Sequence, residues 1–279
     1  MPVMILAHEV LGAEASPERW MLVLHGILGR RANWRSFMRK WLKRRPGWGV
    51  ALVDLRVHGD SQAFPPPHTL ASAGDDLLGL SLEIGREHGG RVAGIMGHSF
   101  GAKVGIVGAA ALRRAHEDRA VDELWVIDAP PGPRRNPQDL STDKVFAALE
   151  AQPQRFRERS EFTAALVAAG LTMQVAQWLA TNLVLTPTGW RFSVDLEGAR
   201  ALLKDFSTRD LWPELEAEAA AGTRVNLVVG GRSLAVSEAE RSRAEALAAR
   251  GILGLGVVEG AGHWIQVDAP EALLDVLCA

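Results

Sequence analysis

A single cysteine, Cys278, stands next to the last residue, which excludes an intramolecular disulfide and any metal site built from clustered thiolates. No apolar run reaches the roughly 20 residues that a membrane-spanning helix needs. The opening Met1-Pro2-Val3-Met4-Ile5-Leu6-Ala7-His8-Glu9 has neither a basic leader nor a long apolar centre, so we expect no signal peptide and a cytoplasmic location. Strong charge of one sign is also missing: a net charge of −2 gives no global attraction to nucleic acid or anionic lipid. Hydrophobic residues at 47% and charged residues at 23% exclude general disorder. A chain of 279 residues can bury a sizeable core, and its length suits one large α/β domain with an insertion, the reading we prefer, or two modest ones.

The β-rich runs Val3 to Val10 and Trp20 to Leu24 predict two strands joined by a turn at Gly12 and Pro17. The second run ends in His25-Gly26-Ile27-Leu28-Gly29, a glycine-punctuated loop where open α/β sheets place their ligands, although it also reads as a plain connection. Residues 30 to 45 carry eight Lys and Arg. A polyanion site is one reading, but Trp34, Phe37, Met38, Trp41 and Leu42 recur at helical spacing, which puts the basic residues on a solvated face. A strand at Trp48 to Leu55, the rigid loop Phe64-Pro65-Pro66-Pro67 and a helix at Ala71 to His88 follow.

Next come the strand Arg91 to Met96 and a helix to about His116, then a buried strand Leu124 to Ile127 that closes on Asp128-Ala129-Pro130-Pro131-Gly132-Pro133. From Ser141 to about Trp212 the pattern is helical without strong strand candidates, at Val145 to Leu149, Phe156 to Ala169 and Thr172 to Leu185, with a turn at Thr186-Pro187-Thr188-Gly189. The α/β rhythm returns with strand Val225 to Val229, helix Glu238 to Arg250, strand Leu253 to Val258 and helix Pro270 to Leu277. The expected architecture is a mainly parallel sheet with helices on both faces. Its core spans 1–132 and 213–279 as one domain, and 133–212 form a helical lid.

The chemistry gathers around Gly97-His98-Ser99-Phe100-Gly101, between that strand and its helix. G-x-S-x-G is the nucleophile-elbow pattern, in which small residues let strand and helix approach while the serine hydroxyl is lifted above the sheet. A serine hydroxyl needs a general base and a carboxylate to orient that base. Gly260-Ala261-Gly262-His263-Trp264 supplies the base, since it follows a late strand in a glycine-flanked loop. His8, His68, His88 and His116 fall at exposed or loop positions. His25 and His58 either line the pocket or scaffold their loops, and His98 fills the variable position of the elbow.

The loop after Val225 to Val229 reads Gly230-Gly231-Arg232-Ser233-Leu234-Ala235-Val236-Ser237, with no carboxylate before Glu238. Asp128 ends the neighbouring strand about 5 Å away, which makes it the candidate acid, with Ser233 as a supporting hydroxyl; a helix or turn cap before Pro130 is its other reading. The backbone N–H groups of Phe100 and Ile27 are the candidate oxyanion donors. His25, Leu28, His98, Trp178 and Trp264 are candidate pocket lining. Phe146, Phe156, Phe162, Trp190 and Phe192 could join them or pack the insertion on the sheet. No metal ligands are expected.

In order and spacing, the His25-Gly26 loop, Asp54-x-Arg56-x-His58-Gly59-x-Ser61, the elbow with Lys103 and Val104 behind it, and Gly260 to Trp264 resemble the α/β-hydrolase fold superfamily along most of the chain. Asp128-Ala129-Pro130 and Ser233 resemble, more narrowly, small bacterial and organellar serine esterases and acyl-thioesterases whose acid follows the sixth strand. The resemblance implies the α/β-hydrolase fold and acyl transfer from a small or medium ester or thioester to Ser99, with no cofactor. A small-molecule acyl substrate would then be the only partner, for a monomer or homodimer. Dehalogenases and epoxide hydrolases of similar look use a carboxylate at the elbow, and Ser99 argues against both. Other readings keep the triad for C–C bond hydrolysis, a menaquinone-pathway lyase or cofactor-free haloperoxidase-like chemistry, or retain the fold for slow-turnover ligand binding.

Overall fold

The computed structural model describes residues 4–116, 121–134 and 140–279. Val3, at the start of the first expected strand, lies outside them. The elements run β1 (His8–Leu11), β2 (Arg19–Leu24), α1 (Arg35–Arg44), β3 (Trp48–Val53), α2 (Leu70–His88), β4 (Arg91–His98), α3 (Phe100–Ala115) and β5 (Glu123–Ile127). Then follow α4 (Leu140–Glu150), α5 (Arg159–Ala168), α6 (Met173–Leu179), β6 (Leu183–Thr186), β7 (Gly189–Phe192) and α7 (Leu196–Thr208). The chain closes with α8 (Trp212–Ala220), β8 (Arg224–Gly230), α9 (Glu238–Ala249), β9 (Gly254–Val258), α10 (Ile265–Asp268) and α11 (Pro270–Cys278).

Seven strands form one sheet in the order β1-β3-β2-β4-β5-β8-β9, parallel except for β1, which pairs antiparallel to β3. The first two strands therefore do not pair as neighbours; β3 lies between them. Strand order reverses between β2 and β4, which opens a crevice at their carboxyl ends where His25 and Ser99 stand.

Alternation along the strands sorts the core. Trp20, Leu22 and Leu24 of β2 face one apolar cluster with α2, α3, α8 and α9, while Met21 and Val23 face another with α1 and α11. Phe37, Met38 and Trp41 of α1 are buried as their spacing predicts, and each such side chain contributes roughly 2–3 kcal/mol over exposure. The basic residues around them pair with the chain's own acids: Arg35 with Glu9, Lys40 with Glu271, Arg44 with Asp275 and Arg45 with Glu123. A solvated, ion-paired face fits these contacts, and a polyanion site does not.

The stretch between β5 and β8 is not purely helical. Leu183–Thr186 and Gly189–Phe192 pair as an antiparallel hairpin where the expected helix would have ended, and the strand-free reading of this stretch is corrected. Leu183–Thr186 pairs with Gly189–Phe192, and its four residues are too few to show a period against the preceding helix. Phe146, Phe156 and Phe162 are buried in the same core cluster as the sheet, with Trp190 and Phe192 packed against it, so these five aromatics hold the insertion together. Lys103 of α3 is fully buried beneath it and donates to the carbonyls of Gly132, Phe206 and Arg209 at 2.8, 2.7 and 2.8 Å.

Candidate active site

Between the end of β4 and the start of α3, Ser99 sits alone in the turn at φ 54° and ψ −118°. Positive φ is uncommon for serine and stores strain. It is pinned by the Ser99 N–H, which donates to the Ile127 carbonyl at 2.8 Å. The flanking glycines are required by close approach. A Cβ at Gly97 would collide with the Gly101 carbonyl, and one at Gly101 would lie 2.6 Å from the His25 carbonyl oxygen.

Three strand ends converge on this serine. The Ser99 Oγ and His263 Nε2 are 3.1 Å apart, and His263 Nδ1 lies 2.6 Å from Asp128 Oδ2. A carboxylate only accepts, so Nδ1 carries the proton and Nε2 is left free to accept from the serine hydroxyl. Asp128 is fully buried at φ 50°, and the Ser233 hydroxyl donates to the same Oδ2 at 2.5 Å while the Gly230 N–H donates to Oδ1 at 3.0 Å. Burial pushes the Asp128 carboxyl upward, but the bonds from His263, Ser233 and Gly230 outweigh it and hold the group below its ordinary value. His98 Nε2 donates to the His263 carbonyl at 2.8 Å and its ring lies 4.8 Å from the His263 ring, a tie to the histidine loop that spacing alone does not reveal. Burial, then the neighbouring His263, lowers the His98 pKa to about 4, which keeps it neutral beside the His263 ring.

The loop after β2 is held from behind. His25 donates from Nδ1 to the Gly26 carbonyl at 2.8 Å, which also accepts the Gly29 N–H at 3.0 Å, and His25 Nε2 accepts the Leu55 N–H at 3.1 Å. His58 Nδ1 donates to the Arg56 carbonyl at 2.9 Å and Nε2 accepts the Leu28 N–H at 3.0 Å. Burial draws the two rings down to about 4 and about 3, so both stay neutral and keep these tautomers. Among the described residues the amides of Ile27 and Phe100 donate to no acceptor. In the Asp54 to Ser61 motif, Asp54 accepts from Arg31 N at 2.7 Å and Asp60 N at 3.0 Å, and Arg56 forks onto Asp76 at 2.6 and 2.9 Å. That motif is scaffolding, and its Leu55 N–H and His58 ring both reach the loop beside the serine.

These groups open into a cavity of about 1380 Å³ whose wall includes His25, Ile27, Leu28, His98, Trp178 and Trp264. Trp178 of the insertion meets Trp264 of the histidine loop with ring centroids 5.6 Å apart. The insertion adds an apolar patch of Val145, Val175, Leu203 and Phe206, beside Arg134 and Thr142. One group among the described residues could converge on a metal ion, His8 with Glu87 and His88, whose ligand atoms lie within 4.8 Å of one another. None of the three lines the cavity.

Residues 21–276 match the model of the alpha/beta hydrolase family. The chain belongs to that family. Its similarity to the sn-1-specific diacylglycerol lipase ABHD11 of Mus musculus is 27% identity over 284 residues, covering 98% of this chain and 83% of that protein. Esterase YbfF of Escherichia coli (strain K12) is 27% identical over 258 residues, 91% of this chain and 89% of that one. A solved structure described as a marine microorganism esterase superposes with a TM-score of 0.79 at 20% identity, covering 98% of each chain, a likeness that shows the fold alone. Within this alpha/beta hydrolase, Asp128 follows β5, the strand next after the elbow and its helix. The loop after β8 holds Ser233, whose hydroxyl reaches across to the Asp128 carboxylate. No helix among the described residues is long and apolar enough to cross a membrane.

Proposed function

We propose that this alpha/beta hydrolase is a serine hydrolase that cleaves carboxylic esters or thioesters of small to medium acyl groups through Ser99, His263 and Asp128. The observation that carries the reading is the unbroken hydrogen-bonded line from Ser99 Oγ through His263 to the buried Asp128 carboxylate, at 3.1 and 2.6 Å. The relatives named as lipase and esterase support the ester chemistry.

In this mechanism Ser99 attacks the acyl carbonyl as His263 Nε2 takes the hydroxyl proton. Asp128 keeps Nδ1 protonated and steadies the imidazolium. The developing oxyanion lies between the Ile27 and Phe100 amides, each worth ~3 kcal/mol in the transition state. The N-terminus of α3 adds a favourable dipole there. His263 passes the proton to the departing alcohol or thiol, and water then hydrolyses the acyl-enzyme with the same histidine as base. The insertion at 133–212 acts as a lid over the core formed by 1–132 and 213–279, its apolar patch receiving the acyl chain. A cavity of about 1380 Å³ exceeds what a short ester alone would fill.

A fluorophosphonate followed by mass spectrometry, beside a p-nitrophenyl ester series of rising chain length, tests the reading. We expect a single adduct on Ser99 and turnover that depends on chain length. An adduct elsewhere, or no adduct and no turnover, refutes it.

A further inference from the structure

Asn182 belongs to the insertion, where it ends the short turn Ala180–Asn182, and it is completely buried. Its Nδ2 donates to the Leu28 carbonyl at 2.8 Å, while its Oδ1 has no partner among the described residues. A buried amide with an orphan oxygen is costly. An apolar side chain of that size would fill the space without the cost, so packing alone does not account for an amide here. The asparagine is itself braced, because its carbonyl accepts both the N–H and the hydroxyl of Ser193, at 3.1 and 2.7 Å.

The group that needs Asn182 is the Leu28 peptide. Leu28 sits at φ 60°, a left-handed conformation that is costly for a residue with a Cβ. Its N–H is held by His58 and its carbonyl by Asn182. Two peptide units before the Leu28 carbonyl, His25 and the Gly29 N–H hold the Gly26 carbonyl. That carbonyl and the Ile27 N–H are opposite ends of one planar unit, so gripping the oxygen aims the N–H the other way. Two grips come from core loops and the third from the insertion.

We propose that Asn182 is a positioning residue for the oxyanion donor: the insertion, through this one side chain, fixes the backbone that aims the Ile27 N–H at the serine. The inference rests on the serine-hydrolase reading above. It assigns the insertion a part in transition-state stabilisation besides covering the cleft.

The test starts from wild-type protein that labels on Ser99 and turns over an ester; failure at that stage is failure of the underlying reading. Asn182→Leu should then lower kcat about 10- to 100-fold, short of the loss of a whole donor, with KM within about threefold. Affinity for an alkyl boronic acid, whose serine adduct places an oxygen between the two amides, should fall by a similar factor. Arg30→Met removes a different tie to the insertion, from Arg30 Nη1 to the Thr181 carbonyl at 2.9 Å, and should leave kcat within about twofold. The proposal is overturned if Asn182→Leu keeps kcat and boronate affinity within about threefold, or if Arg30→Met loses as much. Should Asn182→Leu not fold, Asn182→Asp keeps the shape but sets a carboxylate against the Leu28 carbonyl. It should show the same twin loss, and kcat and boronate affinity near wild type would overturn the proposal equally.

Discussion

Replacing Asp128 with asparagine should abolish most turnover while leaving substrate binding nearly intact, and the hydrogen bonds around it set the size of the effect. Asp128 accepts from three donors: Gly230 N–H on Oδ1, and Ser233 Oγ–H and His263 Nδ1–H on Oδ2. An asparagine has one acceptor oxygen. If that oxygen serves the buried Gly230 N–H, the amide nitrogen faces His263 and can only donate, so the ring must take the opposite tautomer with the proton on Nε2. That nitrogen is the one 3.1 Å from Ser99 Oγ, and once protonated it cannot accept the serine proton. A wrong-tautomer histidine in a serine triad costs about 10⁴ in kcat, or roughly 5 kcal/mol at 1.36 kcal/mol per decade. Ser233→Ala removes one of the three donors and keeps the tautomer, so a loss of about tenfold is expected from one charge-assisted bond. Steady-state kinetics with a p-nitrophenyl ester read both, with KM within a few-fold because neither side chain binds substrate. If Asp128→Asn keeps more than about a tenth of wild-type kcat, or Ser233→Ala is the worse of the two, Asp128 is not the orienting acid.

Three further predictions follow from packing and titration. His58 and His25 are held neutral by burial at about 3 and about 4 against an ordinary 6.5, so below pH 6.5 the unfolded chain binds protons that the folded chain refuses. Stability should be complete above about pH 6.5 and fall as pH drops towards 4. The Tm should follow that course and flatten in His58→Gln, which retains an acceptor for the Leu28 N–H; a wild-type Tm constant over the window would refute it. Gly101→Ala should destabilise by about 3 kcal/mol in urea unfolding, because the new methyl meets the carbonyls of Leu24 and His25 at 2.7 and 2.6 Å, and an unchanged midpoint would show that α3 can shift. Trp178→Ala widens the cavity and should move the chain-length optimum, by roughly tenfold in kcat/KM for the longest esters relative to the shortest. An unchanged profile would place the acyl chain elsewhere.

The sheet was legible because its strands are apolar runs that stop at glycine-bearing loops, and each loop carrying a polar residue at such a stop proved to lie on one edge. Ser99, His263, Asp128 and Ser233 are brought together there although up to 164 positions separate them. The hairpin at Leu183–Phe192 was not legible, since two strands of four residues each are too short to show a period. Nor did spacing decide between lining and scaffolding for His25 and His58: His25 is both, with its ring nitrogens satisfied while it also lines the cavity, whereas His58 is scaffold alone. Asn182 carried no signal at all, because its importance lies in a contact across 154 positions with one backbone carbonyl.

Lys103 turns the seam between insertion and core into something that can be timed. Its amine is out of reach of solvent, with the end of α7 as part of its roof through Phe206 and Arg209. An amine-reactive ester should therefore pass it over while modifying the exposed Lys40, and mark it only in moments when that roof lifts. The ratio of the two modification rates, read by peptide mass spectrometry, is a clock for how often the insertion parts from the helix that begins at the serine.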